Sequence, residues 1–173
     1  MSGRYRRPEK TLIYLYRRKL FRPECPLEYL LLQRSHSKAG HIWQTVVGAA
    51  KWGEELVETA RREVYEETGL TRLRGITAIG YAFSFPFQLA PEQKSYYAPD
   101  VQYIHNIVFA AEVMGIQRIT LSDEHIAHGW FSFEEAMEKI YWTQDREALA
   151  RLHPMISGLY EENPSQPDGT LVI

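Results

Sequence analysis

Through the first 113 positions the apolar residues fall into short blocks with polar ends. TLIYLYRR (11–18), EYLLLQRS (28–35) and HIWQTVVG (41–48) are each rich in leucine, β-branched or aromatic side chains, the signature of strands. A polar turn carrying Pro23 and Pro26 separates the first two. The period then changes. Leu56, Ala60 and Val64 recur at helical spacing with Leu70 beyond them, which predicts an amphipathic helix over about 55–68 ended by Gly69 as a left-handed C-cap. LRGITAIGYAFSF (73–85) and VQYIHNIVFAAEV (101–113) read as two long strands. The connection between them, 86–100, is long for a compact domain, and such loops tend to carry function. HIAHGWFSF (125–133) is a further short strand, with His125 and His128 assigned to one face as structural or rim residues. Ser132 and Glu135 have capping-box spacing at the start of a helix over 133–141, and a last helix over 145–160 is predicted to break near Pro154. The tail ENPSQPDGTLVI reads as loose.

Strands, one helix, a long hairpin and then two helices predict an α/β domain, a mixed sheet with helices on both faces. There are no repeats and no dividing linker, so residues 1–173 read as one domain, long enough to bury a core. Composition excludes several classes. Hydrophobic residues at 45% and charged residues at 24% are globular usage, not disorder. The single cysteine, Cys25, rules out an internal disulfide framework and fits a reducing compartment. The basic N-terminus lacks the apolar core of a signal peptide, and no run of eighteen apolar residues exists, so no membrane partner and a cytoplasmic location are expected. The first twenty-two residues carry eight Lys or Arg against Glu9 alone, but a net charge of −2 argues against a nucleic-acid partner. Oligomeric state is not legible.

Candidate chemistry is concentrated on the first helix. Six acids lie between Glu54 and Glu67 against Arg61 and Arg62. Glu63, Glu66 and Glu67 stand at i, i+3 and i+4, so their side chains share one face and repel. A cation reverses that penalty, and an all-oxygen donor set suits Mg²⁺ or Mn²⁺; the alternative is a solvated acidic face. The spacing distinguishes them. Gly48, five residues, Glu54, seven residues, Arg62-Glu63, two residues, Glu66-Glu67, Thr68, Gly69 and Leu70 resemble the Nudix box, the signature of Nudix hydrolases. Gly48 and Gly53 are read as loop glycines that let the backbone bend and approach a phosphate or metal closely. Arg62 is read as holding neighbouring carboxylates in orientation.

The resemblance implies a Nudix-type α/β/α sandwich covering about residues 8–155 and cleavage of a nucleoside diphosphate linked to a further group. Glu63, Glu66 and Glu67, with Gly48, are then expected to hold Mg²⁺ or Mn²⁺, and Arg62, Glu63 and Glu67 to be catalytic. Arg7-Pro8, LLLQR (30–34), WQTVVG (43–48) and YAPDV (97–101) look like the dATP and dihydroneopterin triphosphate pyrophosphohydrolase group. LSDEHIAHGWF (121–131) is similar both to that group and to diadenosine tetraphosphate hydrolases. That stretch makes Glu124 the candidate general base, with Asp123 as its neighbouring alternative and Glu92 or Asp100 behind them. Many relatives carry an acid where this chain has Lys51, so the number of metal ions is left open; Lys51 is either a phosphate contact or a solvated loop lysine. Arg34 is a candidate phosphate grip, and Trp43, Tyr97 and Tyr103 a candidate stacking wall for a planar ring. The expected partner is a nucleotide or pterin triphosphate. Rival readings are a dinucleoside polyphosphate hydrolase, more weakly ADP-ribose hydrolysis on the strength of Pro86 alone, and a non-catalytic Nudix-fold binding module.

Overall fold

The computed structural model describes residues 5–19, 27–35, 40–86 and 91–161; the predicted turn with Cys25 and the C-terminal tail lie outside them. Seven strands form one mixed sheet: β1 (Glu9–Arg18), β2 (Leu27–Arg34), β3 (Trp43–Gln44), β4 (Val46–Ala49), β5 (Leu73–Pro86), β6 (Tyr103–Val113) and β7 (His125–Phe131). Three helices cover it: α1 (Leu56–Thr68), α2 (Phe133–Lys139) and α3 (Thr143–Glu161). A 3₁₀ helix, Pro91–Tyr96, lies in the long connection between β5 and β6. No helix among the described residues is long and apolar enough to cross a membrane.

The sheet opens into a fork. β1 and β2 are antiparallel only at their hairpin end, from Arg18↔Leu27 to Tyr16↔Tyr29. Beyond that they part, and the segment 43–49 fills the gap. Its first half, β3, pairs with β2 (Leu32↔Gln44), and its second half, β4, pairs with β1 (Leu12↔Val47). The sequence reads 41–48 as one strand because its apolar character is continuous, but the segment changes partner at Thr45. The Thr45 hydroxyl bonds the Ile13 carbonyl at the point of divergence. On its other edge β1 runs parallel to β6, from Glu9↔His105 to Tyr16↔Glu112, and β5 completes the predicted hairpin with β6.

Alternation along β1 divides the core into two layers. Leu12 and Tyr14 join Tyr29, Leu31, Leu149 and Leu152 under α2 and α3, while Ile13 and Leu15 join Leu30, Leu32, Ala60 and Val64 under α1. This is the α/β/α sandwich. α1 starts in a reciprocal capping box between Glu55 and Glu58, and α2 in the one predicted between Ser132 and Glu135. α3 does not break at Pro154. Leu152 and Ile156 are buried on either side of it, and His153 stacks on Phe133 at 4.1 Å while its Nδ1 pairs with the Tyr29 hydroxyl at 2.7 Å. Tertiary contacts here outweigh the lost backbone bond. His125 and His128 do not share a face. They are three residues apart on a strand of period two, so His125 is buried and His128 exposed.

Gly69 stops α1 in the left-handed region (φ 69°), its N–H bonding the Tyr65 carbonyl. Gly69→Ala should therefore cost about 1–2 kcal/mol, and a chain of this size then melts roughly 2–4 °C lower per kcal/mol. Gly158→Ala, in the body of α3 with open space around its α-carbon, should be neutral or stabilising; equal effects of the two substitutions on melting temperature would contradict the assignment.

Candidate active site

β4 delivers the chain into the loop before α1 with almost no room to spare. A β-carbon on Gly48 would collide with the Glu63 carboxyl, so the side chain of Glu63 lies directly on the Gly48 backbone. This is the reason for a glycine there: of the bend and the close approach that the sequence suggests, the structure shows close approach, by the Glu63 carboxyl. The bend belongs to Gly53, at φ 80°. Arg7 anchors the same loop from the other side by donating to the Glu54 carbonyl at 2.7 Å.

Arg62 organises the acids. Its Nε and Nη2 donate to the two oxygens of Glu54 at 2.8 and 2.9 Å, its Nη1 to Glu63 at 2.5 Å and Glu66 at 3.0 Å, and its Nη2 also to the Ala49 carbonyl at 3.0 Å. Glu54 further accepts from the Lys51 backbone N–H and the Thr59 hydroxyl. These charge-assisted bonds, Arg62 foremost, hold its carboxyl down at about 2, and Arg62 is pushed up in return by Glu54. Glu63 is raised by burial against the opposing pull of Arg62. Lys51 Nζ lies 3.8 Å from Glu66.

Glu67 differs from its neighbours. It is 8% exposed, its Oε2 is buried with no hydrogen-bond partner among the described residues, and the facing atom, His125 Nε2 at 4.0 Å, also has none. Burial first, then the like charges of Glu63 and Glu124, push its carboxyl up to about 9. An uncompensated carboxylate oxygen on the same helical face as Glu63 and Glu66, with Glu63 lying on the Gly48 backbone, is part of a hard-oxygen donor set, which fits a divalent cation such as Mg²⁺ or Mn²⁺. Among the described residues no three acids or imidazoles already converge at ligating distances, since Glu63 and Glu66 each direct an oxygen to Arg62.

Glu124 arrives from the other arm of the fork. Its carbonyl accepts both the N–H and the hydroxyl of Ser35 at 2.9 Å, tying it to the end of β2. The β2–β7 register slips between Gln33↔Ala127 and Arg34↔His125, and such a bulge re-aims the residues beside it. Arg34 Nη2 then stands 3.4 Å from Glu124 Oε2. Lys10 joins this group, a residue the sequence reading missed. At the start of β1, opposite Ala49 and Asn106, it is lowered to about 8 by burial, then by Arg34 and Arg6, with Glu124 and Glu63 opposing. A lysine on the same strand face as Leu12 and Tyr14 was the available signal.

The aromatic candidates are not brought together. Trp43 packs edge-on against Phe131 at 5.2 Å, on the sheet face away from α1. Tyr97 is buried in a separate cluster with Ile104, and Tyr103 is exposed at the start of β6 opposite Pro86. Asp123 and Asp100 are exposed, and the side chain of Glu92 lies outside the described set.

The family model described as NUDIX domain matches residues 9–152. The chain is 27% identical over 148 residues to the dihydroneopterin triphosphate diphosphatase of Haemophilus influenzae, covering 85% of this chain and 88% of that one. It is 29% identical to the asymmetrical bis(5'-nucleosyl)-tetraphosphatase of Rattus norvegicus, over 75% of this chain and 81% of that one. In fold it is similar to a crystal structure of a NUDIX hydrolase of Listeria monocytogenes, with a TM-score of 0.73 at 22% identity, over 88% and 97% of the two chains.

The buried carboxyl of Glu67 makes a prediction about stability. Its folded value, about 9, lies above the ordinary value of 4.5. The folded chain thus keeps a proton that the unfolded chain releases, and stability is lost as pH rises through that window. In the presence of a chelator, Glu67→Gln should melt higher than the parent at about pH 8.5, by at least the roughly 2–4 °C that one kcal/mol gives. The difference should shrink toward about pH 5; a constant difference across that range, read by calorimetry, would contradict the assignment.

Proposed function

From the premise that this chain belongs to the NUDIX family, we propose a divalent-metal-dependent pyrophosphohydrolase of a nucleoside triphosphate or its pterin counterpart, of the dATP or dihydroneopterin triphosphate kind. It is a hydrolase of phosphoanhydride bonds; the products proposed are a monophosphate and pyrophosphate. The observation that carries this reading is the meeting, at the open end of the β1/β2 fork, of the Glu63–Glu66–Glu67 face with Glu124 and the cations Arg34 and Lys10. Carboxylates and cations side by side are what a metal-bound polyphosphate requires. The similarity to a dihydroneopterin triphosphate diphosphatase over 85% of this chain supports the substrate class.

In this mechanism Glu63, Glu66 and Glu67, with the Gly48 backbone, would hold Mg²⁺ or Mn²⁺. When bound, such an ion neutralises phosphate charge, lowers the pKa of water and stabilises the leaving pyrophosphate. Arg62 keeps Glu63 and Glu66 in place. Glu124 accepts the proton from the water that attacks the α-phosphorus, a role open to it because Glu124 stands beside Arg34 on a separate loop from the ligand helix. Arg34, Lys10 and Lys51 would contact the phosphate chain. Protein groups position and stabilise charge, and little covalent chemistry is asked of them.

The rat relative favours a second reading, hydrolysis of a dinucleoside tetraphosphate. Product analysis separates the two: pyrophosphate from a triphosphate on the first reading, a nucleoside triphosphate from the tetraphosphate on the second. Turnover should require Mg²⁺ or Mn²⁺; full activity in excess chelator would remove the metal from the mechanism, and no turnover across a broad panel would favour a binding module.

Glu124→Gln should lower kcat by on the order of 10²–10⁴ and change KM much less, because a general base acts on the water and not on substrate binding. Asp123→Asn should be near the parent in both constants. Reversed effects would transfer the role to Asp123, and two mild effects would remove this loop from the chemistry.

A further inference from the structure

The loop before β7 is fastened to the last turn of α1. Thr120 donates its N–H to the Thr68 carbonyl at 2.9 Å and Ser122 its N–H to the Glu67 carbonyl at 3.3 Å, while His125 N–H bonds back to the Ser122 carbonyl at 3.2 Å. The fastening brings two side chains face to face. His125, with its side chain 1% exposed, directs Nε2 at Glu67 Oε2 across 4.0 Å. On the opposite side of the ring, Nδ1 lies 3.3 Å from the Ser122 hydroxyl.

Both facing atoms are buried and have no hydrogen-bond partner among the described residues. Leaving a buried polar atom unsatisfied costs about 1–3 kcal/mol, so two of them pointed at each other call for an explanation. Ser122 supplies it. A hydroxyl that donates to Nδ1 leaves the ring proton on Nε2, the atom aimed at the carboxyl. A small rotation of either side chain then closes an Nε2–H to Oε2 hydrogen bond, which holds the Glu67 carboxyl in one orientation on the face of α1 it shares with Glu63 and Glu66.

We propose that His125 is a positioning residue for Glu67: its Nε2–H, fixed in that tautomer by Ser122, orients the Glu67 carboxylate toward the divalent cation. The inference rests on the reading of Glu67 as a metal ligand. Hydrogen-bond partners behind a ligating carboxylate tune metal affinity as the ligands themselves do. The role also gives the acid-His dipeptide Glu124-His125 a division of labour, the first residue facing the water and the second facing the ligand.

Binding of Mn²⁺ alone, measured by calorimetry or by the paramagnetic resonance of the free ion, tests it without turnover. His125→Leu keeps the ring's bulk and removes the donor; it should weaken Mn²⁺ binding by about 10-fold or more, the range seen for such partners. His125→Gln, whose amide N–H reaches where Nε2 was, should restore binding to within about 3-fold of the parent, which a packing role would not. If His125→Leu does not fold, Ser122→Ala decides: weaker Mn²⁺ binding supports the tautomer lock, unchanged binding overturns it. Parent-like binding by His125→Leu while Glu67→Gln loses Mn²⁺ overturns the inference alone, as does a His125→Gln variant as weak as the leucine. Parent-like binding by Glu67→Gln overturns the ligand assignment and this inference with it.

Discussion

The guanidinium of Arg62 is the contact around which the rest of the site is arranged. Three acids on one helical face repel one another, and the fold adds Glu54 and a tight backbone approach at Gly48. Arg62 answers four of these demands at once: two bonds to Glu54, one each to Glu63 and Glu66, and one to the Ala49 carbonyl at the end of β4. A lysine could not do this, because it lacks the planar fork that meets both oxygens of one carboxylate. Glu67 is outside this arrangement. It is the acid left with a buried oxygen and no cation of its own, and the one pushed furthest from its ordinary value.

Much of the fold was legible because each element carries its own local signal. The alternation of β1, the helical recurrence of Leu56, Ala60 and Val64, and the capping box at Ser132 all specify their structures from neighbours in sequence. The fork was not legible. HIWQTVVG reads as one strand at every position, and only the separate partners of Gln44 and Val47, β2 and β1, divide it. The persistence of α3 through Pro154 is similar, decided by Phe133 and Tyr29 from elsewhere in the chain.

The site shows the same boundary. Spacing alone puts Glu63, Glu66 and Glu67 on one face, because i, i+3 and i+4 are local geometry. Lys10 was missed because its significance comes from what the sheet brings beside it. The assembly of Trp43, Tyr97 and Tyr103 into one wall was an expectation about long-range placement, and the three rings lie in three different surroundings.

The parallel pairing of β1 with β6 also bears on how the molecule forms. It joins Glu9 to His105 and Tyr16 to Glu112, contacts between strands that nearly a hundred residues separate, and the Tyr14 hydroxyl reaches the Asp145 carbonyl at 2.6 Å across 131 positions. Closing loops of that length costs chain entropy before any burial offsets it, which makes such topologies slow to fold. α1 needs only its own residues to coil, yet a free α1 is a strip of repelling charge. Its acids become a site only once β1, β4 and the loop before β7 have docked around it. The site is therefore complete only once these long-range contacts have formed, and a partly unfolded chain carries the signature residues without their arrangement.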